Sequence, residues 1–234
     1  MWKVIDTGLA CASENMRIDQ ELLQNLSGDP IIHFYDWKDE AATYGYFVRP
    51  ESYLDLEKVE RRGLSLARRP TGGGIVFHKW DFAFSVLIPS SSPFFSMNTL
   101  ENYGFINRAV LSAVKEFLQR SVELIFQDAE SFDIASNRFC MARPTKYDVV
   151  MEGKKVAGAA QRKDKKGFLH QGMIALQLPD EEYLRDILLP GSRVVEAMRN
   201  FTYPLLGKET GEKQRSQAKK ELKELLQKYL VENI

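Results

Sequence analysis

Two cysteines, Cys11 and Cys140, are all the thiol in this 234-residue chain. That is too few for a disulfide framework, and nothing pairs them as a metal motif. A reducing, cytoplasmic setting is expected. Histidine is equally scarce: His33, His78 and His170 stand at no zinc-ligand spacing, so no metal site is expected. Net charge is missing as well. Lys+Arg and Asp+Glu both number 32, which excludes a molecule-wide basic field for nucleic acid but leaves room for a local cationic site. No apolar run approaches the roughly 18 residues that span a bilayer, so no membrane association is expected. Met1 to Ala12 has neither the basic start nor the long apolar stretch of a secretory leader. Repeats and low-complexity segments are absent.

The remaining composition supports a packed core: 44% of residues are hydrophobic and 11% aromatic. A chain of this length makes one large domain, or one domain with a small appendage. Strands are expected over Trp2–Asp6, Ile31–Tyr35, Ala42–Phe47, Leu64–Arg68, Gly74–His78, Phe82–Ile88, Val122–Phe126 and Gly167–Leu178. Tyr147–Met151 and Lys155–Gln161 form a hairpin around Glu152-Gly153-Lys154. Helices are expected over Ser13–Leu26 with Ser13 as cap, Leu54–Arg61, Leu100–Arg120, Glu181–Leu188 and Gly211–Val231, the last with Leu222, Leu225, Leu226 and Tyr229 as its apolar stripe. Ser192 to Gly211 reads as a loop. Grouped strands with few helices argue for an α+β fold, with mixed, mostly antiparallel sheet packed against helices.

Four segments carry chemistry. Arg68-Arg69-Pro70-Thr71-Gly72-Gly73-Gly74-Ile75-Val76-Phe77-His78 sets two cations before three glycines. Three glycines together cost more backbone entropy than any other triplet, so they belong where a ligand approaches bare backbone or a positive φ is required. Cations beside them suit an anion. A plain turn between strands is the other reading. In Gly153-Lys154-Lys155-Val156-Ala157-Gly158-Ala159-Ala160, small residues leave space along a strand, and one of the two lysines turns inward because strand side chains alternate. An inward ammonium stabilises a phosphate or an acyl carbonyl oxygen; the other reading is a solvated hairpin lysine. His170-Gln171-Gly172 holds either a general base or a structural histidine. Cys140 lies between Arg138 and Arg143, and positive charge favours the nucleophilic thiolate over a merely buried thiol.

Taken together, these blocks resemble the lipoate–protein ligase family, within the wider group of biotin and lipoate ligases and octanoyltransferases. The resemblance runs from about Val4 to Leu178. It rests on the Arg-Arg-x-Thr-Gly-Gly-Gly block at 68–74, on Asp148 leading into Gly153-Lys154-Lys155 through Ala160, and on His170-Gln171-Gly172. It implies attachment of lipoate or octanoate to a lysine of the lipoyl domains of 2-oxoacid dehydrogenase complexes and of glycine-cleavage H protein. Lys155 matches the family's invariant lysine. Arg69, Thr71, Gly72, Gly73, Gly74, Val76, His78, Asp148, Gly158, Ala159, His170 and Gly172 are the implied substrate and adenylate contacts.

The glycine block lies closer to the ligase branch, which implies ATP with magnesium as co-substrate and an acyl-adenylate intermediate. Two features depart from that branch. No separate accessory domain is expected: the chain reads as one catalytic domain over 1–234, with a core of about 2–190 and a helical extension over about 191–234. A partner protein or an already activated donor would then supply activation. Also, Lys79-Trp80-Asp81-Phe82 stands where many ligases have Asp-Leu-Gly-Asn. Residues 140–148 are similar to the cysteine loop of an octanoyltransferase branch, and the alternative is octanoyl transfer from acyl carrier protein through a Cys140 thioester without ATP. A non-catalytic acyl- or adenylate-binding module is a further alternative. Biotin ligation is disfavoured because the Gly-Arg-Gly-Arg type of loop is missing.

Overall fold

The computed structural model describes residues 1–207 and 210–232. Its centre is three largely buried strands: β2 (Ile31–Trp37), β6 (Asp81–Pro89) and β10 (Gly167–Ala175). Both β6 and β10 are buried along their whole length. A strand covered on both faces needs apolar side chains at nearly every position, so these segments read as continuous hydrophobic runs rather than alternating ones. They belong to a seven-stranded sheet in the order β1-β2-β6-β10-β9-β8-β7. The outer strands are β1 (Lys3–Ala10), β7 (Glu123–Leu124), β8 (Val149–Met151) and β9 (Lys154–Lys163). Only β1 pairs in parallel, with β2; the other neighbours are antiparallel.

A second, three-stranded sheet runs β4-β3-β5, from β3 (Ala41–Tyr44), β4 (Ser65–Arg68) and β5 (Ile75–His78). The fold is therefore α+β with mixed, mostly antiparallel sheet, as the pattern predicts. One face of the large sheet carries α3 (Thr99–Leu118), whose Ile106, Val110, Ala113 and Val114 meet Phe34, Phe84 and Val86. The Asn98 side chain caps this helix by accepting from the Leu100 amide at 3.0 Å. Outside α3 lies α6 (Glu212–Glu232), which inserts Ala218, Leu222, Leu226 and Leu230 into the same core. Among the described residues no helix is long and apolar enough to cross a membrane.

The opposite face packs α1 (Ala12–Gln24) and the small sheet, which in turn holds α2 (Leu56–Arg61), α4 (Glu181–Ile187) and α5 (Val194–Phe201). Several boundaries differ from expectation. The stretch 192–211, read as a loop, contains α5, which buries Val194, Val195, Ala197 and Met198. Helix α1 begins one residue early, with Cys11 at the N-cap, and the Ser13 hydroxyl pairs with the Cys11 thiol at 3.2 Å instead of capping backbone. The strand expected over Val122–Phe126 shrinks to Glu123–Leu124, because β8 offers it only Val149 and Val150 as partners. Positions 208–209 and 233–234 of the helical extension lie outside the described residues.

Candidate active site

The glycine loop joins β4 to β5, and its shape is set from inside. Arg69 turns into the protein, where it is 5% exposed. Nη1 donates to the Thr43 carbonyl (3.0 Å) and hydroxyl (2.8 Å), and Nη2 donates to the carbonyls of Gly72 (3.1 Å) and Gly74 (2.6 Å). Burial pushes its pKa down, and the nearby Cys140 sulfur works against that shift. The guanidinium expected to grip a ligand oxygen is thus committed to the loop's own carbonyls. With those carbonyls turned inward, the Gly74 amide faces out and donates to Cys140 Sγ at 3.2 Å. Arg69 Nη2 stands 4.0 Å from the same sulfur. Gly74 has no alternative residue here, since a side-chain carbon would overlap the Arg138 carbonyl.

Cys140 reaches this point on a segment that runs beside β5. Its amide donates to the Ile75 carbonyl at 3.0 Å, and Phe139 bridges Ile75 in parallel. The thiol is half-buried, with the Gly74 amide and the Arg69 guanidinium as its polar neighbours.

Lys155 turns inward from β9 and Lys154 does not, as strand alternation requires. Its ammonium lies 2.7 Å from Asp148 Oδ2, and both side chains are buried. The same carboxylate accepts from the Thr145 amide and hydroxyl, each at 2.7 Å, and from the Tyr103 hydroxyl at 3.1 Å. Lys155 lies across Gly158: a side-chain carbon at 158 would sit 2.7 Å from Nζ. The lysine is therefore held in one place by a saturated carboxylate below and a bare strand beside it.

Two cavities meet at the cysteine. The outer one is an open crevice whose walls include Gly72, Gly73, Gly74, Arg138, Cys140 and Lys155. The inner one is a narrow cavity walled by Met16, Tyr35, Trp37, Val76 and Met173, with Arg69, His78, Gly158 and Gly172 also at its surface. Among the described residues, Cys140 and Ala159 alone line both.

Thr71 and Asp148 lie beneath these walls. The Thr71 hydroxyl donates to Gln171 Oε1 (2.6 Å), and Gln171 Nε2 donates to Asp19 Oδ2 (2.6 Å). Asp19 also accepts from Ser85 (2.6 Å) and faces His33 Nδ1 at 2.7 Å. His78 stacks on Trp37 with ring centroids 4.0 Å apart, and sits between the Thr43 hydroxyl (2.7 Å) and Asp81 (2.6 Å). His170 is placed apart. It faces α3 beside Phe84 and Tyr103, lines neither cavity, and burial pulls its pKa down to about 3. A group so buried is a poor proton carrier at neutral pH.

Sequence reasoning missed Asp19 and Tyr103. A carboxylate between Met16 and Leu23 on the apolar stripe of α1 was the available signal for the first. Nothing local marks Tyr103, because it reads as an ordinary residue of the buried helix face.

A mixed sheet thus gathers a glycine loop, a buried lysine and a cysteine at the mouth of a largely apolar chamber. Comparison with known proteins gives the family. The lipoyl protein ligase A/B catalytic domain matches residues 11–202, and the chain belongs to that family, an enzyme group of lipoyl modification. Octanoyltransferase LipM of Bacillus subtilis is 34% identical over 208 residues, covering 86% of this chain and 74% of that protein. The LipM of Geobacillus kaustophilus is 33% identical over 205 residues, covering 85% and 74%. Among solved structures, T. acidophilum protein Ta0514 with bound lipoic acid shares the fold at TM-score 0.70 and 23% identity, covering 97% of this chain and 86% of that one.

Proposed function

We propose that this protein transfers an octanoyl group from acyl carrier protein to a lysine of lipoyl domains through a thioester on Cys140. The observation that carries this reading is the position of Cys140 Sγ. It stands where the outer crevice opens into the inner apolar cavity, with the Gly74 amide at 3.2 Å. The two octanoyltransferase relatives support it, and they favour this alternative over the ATP-dependent ligation suggested by the glycine block. An adenylating ligase gives a cysteine at that junction no task.

In this mechanism the Cys140 thiolate attacks the donor thioester carbonyl. A tetrahedral intermediate forms and the carrier thiolate leaves. The Gly74 amide and the Arg69 guanidinium stabilise the cysteine sulfur before attack, and the Lys155 ammonium, held on the same crevice wall, offsets the oxyanion charge. The aliphatic chain lies in the inner cavity, out of water. In the second half, the neutral amine of the acceptor lysine attacks the Cys140 thioester. An amide bond forms, the C–S bond breaks, and the proton lost by the amine neutralises the departing sulfur. Asp148, Thr145 and Tyr103 fix Lys155, while Arg69, Thr71 and Gln171 fix the loop. Acceptors are lipoyl domains of 2-oxoacid dehydrogenases and glycine-cleavage H protein.

The test offers the protein two donors separately: octanoyl–acyl carrier protein alone, and octanoate or lipoate with Mg-ATP. Each is combined with apo lipoyl domain. The expected result is acylation of the domain with the carrier alone, together with a mass increase on the enzyme that Cys140→Ser abolishes. Acylation that requires ATP and survives Cys140→Ser overturns the reading in favour of the ligase. Binding of donor without any transfer overturns it in favour of a non-catalytic module.

A further inference from the structure

Beside the crevice, two exposed arginines on neighbouring elements share one aromatic ring. After β3 the chain turns through Gly45 and Tyr46, and this turn is tied to the glycine loop: Gly45 donates to the Gly74 carbonyl (3.2 Å) and Tyr46 to the Thr71 carbonyl (2.9 Å). The turn therefore keeps a fixed place beside the site. It presents Tyr46 and Phe47, the latter 88% exposed, with ring centroids 5.1 Å apart.

Two guanidiniums from different strands converge on the Tyr46 ring. Arg68, at the end of β4, lies 4.7 Å from the ring centroid, and Arg162, on β9, lies 5.9 Å away. Both are exposed. Among the described residues neither has a carboxylate within 4.0 Å, a lack they share with the exposed Arg49 and Arg61, whereas Arg17, Arg62, Arg120 and Arg193 each have at least one. Arg162 has one backbone bond, to the Pro70 carbonyl at 3.3 Å. Two like charges sharing one aromatic ring repel, and an anion between them removes that cost. Phe47, Arg138 and Arg143 continue the surface inward, Arg143 with Asp128 3.7 Å away, and among the described residues no carboxylate lines the crevice itself. The chain's formal net charge is zero, so this is a local arrangement.

We infer that Arg68, Arg162 and Tyr46 dock the acyl carrier protein, receiving the phosphodiester and acidic side chains around the root of its thioester arm, while Phe47 guides the arm into the crevice. The inference rests on the transferase reading above. It selects the donor rather than the acceptor on charge. Every carrier-borne thioester comes with a phosphodiester anion, which bidentate guanidiniums recognise well. The acceptor delivers a lysine, itself a cation, which two uncompensated guanidiniums at the entrance would disfavour. Charges at the rim of an interface act mainly on association rate and its salt dependence.

The test separates the two half-reactions. Loading of Cys140 is followed by mass with two donors, octanoyl–acyl carrier protein and octanoyl-pantetheine, which shares the thioester but has neither phosphate nor protein. With Arg68→Ala/Arg162→Ala, kcat/KM for the carrier should fall about tenfold or more, the worth of one or two charge-assisted contacts. Arg68→Glu/Arg162→Glu should lower it further. Loading from octanoyl-pantetheine should stay within about twofold of the native protein, which shows that the site itself is intact. Added salt should slow carrier loading in the native protein and have little effect in the variant. Equal losses with both donors, no loss with the carrier, or a loss seen only when acyl-enzyme discharges to the lipoyl domain would overturn the inference. Affinity for the carrier is measured in parallel by fluorescence anisotropy. If no thioester loads the native protein but carrier binding still depends on the two arginines, the transferase reading fails and the docking site stands.

Discussion

Lys155 owes its place to what its neighbour lacks. The ammonium crosses the backbone at Gly158 to reach Asp148, and any side chain at 158 would occupy that path. Gly158→Ala should therefore move the ammonium without removing it. A displaced charge-assisted contact costs about 1.5–3 kcal/mol, so Cys140 loading should slow by about tenfold to a hundredfold. Stopped-flow or quench measurements of loading check this, and an unchanged rate would show that the lysine's position does not matter to the reaction. At this scale the sequence went part of the way. Alternation along β9 is enough to say that Lys154 and Lys155 face opposite ways. It says nothing about Arg69, whose hydrogen-bond partners Thr43, Gly72 and Gly74 come together only when β3 and the loop meet.

Elements built from long periodic runs follow their sequence closely. Helix α3 and the buried strands β6 and β10 lie within a few residues of expectation. Short elements do not. Helix α5 has eight residues, flanked by Ser192 and Arg193 on one side and by Pro204 and Gly207 on the other, so its apolar stripe is too brief to outweigh the breakers around it. Its Val194, Val195 and Met198 find their core only in the neighbourhood of α4 and β5. The last helix is highly charged, yet it contributes to the main core through Leu222, Leu226 and Leu230. Leu226→Ala should lower unfolding free energy by about 2–5 kcal/mol, measured by urea titration, with the loading rate per folded molecule preserved. A stability equal to the native value would mean that α6 is an appendage to the fold.

For the whole molecule, pH response is a direct consequence of what the core encloses. His170 is fully buried and burial lowers its pKa to about 3, against an ordinary value near 6.5 in the unfolded chain. Above about pH 6.5 the residue is neutral in both states and favours neither. Below it, the unfolded chain takes up a proton that the native protein refuses until about pH 3. Stability is thus retained above pH 6.5 and drains as pH falls towards 3, at about 1.4 kcal/mol per pH unit for this one proton. Urea unfolding of the native protein and His170→Phe at pH 7, 6 and 5 checks it: the variant should show a shallower slope, and parallel slopes would remove His170 as the cause. The amino-acid sequence by itself determined the fold class, the main helices and strands, and the family, because hydrophobic periodicity and ordered motif blocks are properties of neighbouring residues. Tertiary structure alone decided that Arg69 faces its own loop, that His170 stands away from the cleft, and that Cys140 sits where crevice and chamber join. Those outcomes depend on which distant segments supply hydrogen-bond partners and exclude water, and local sequence carries no record of either.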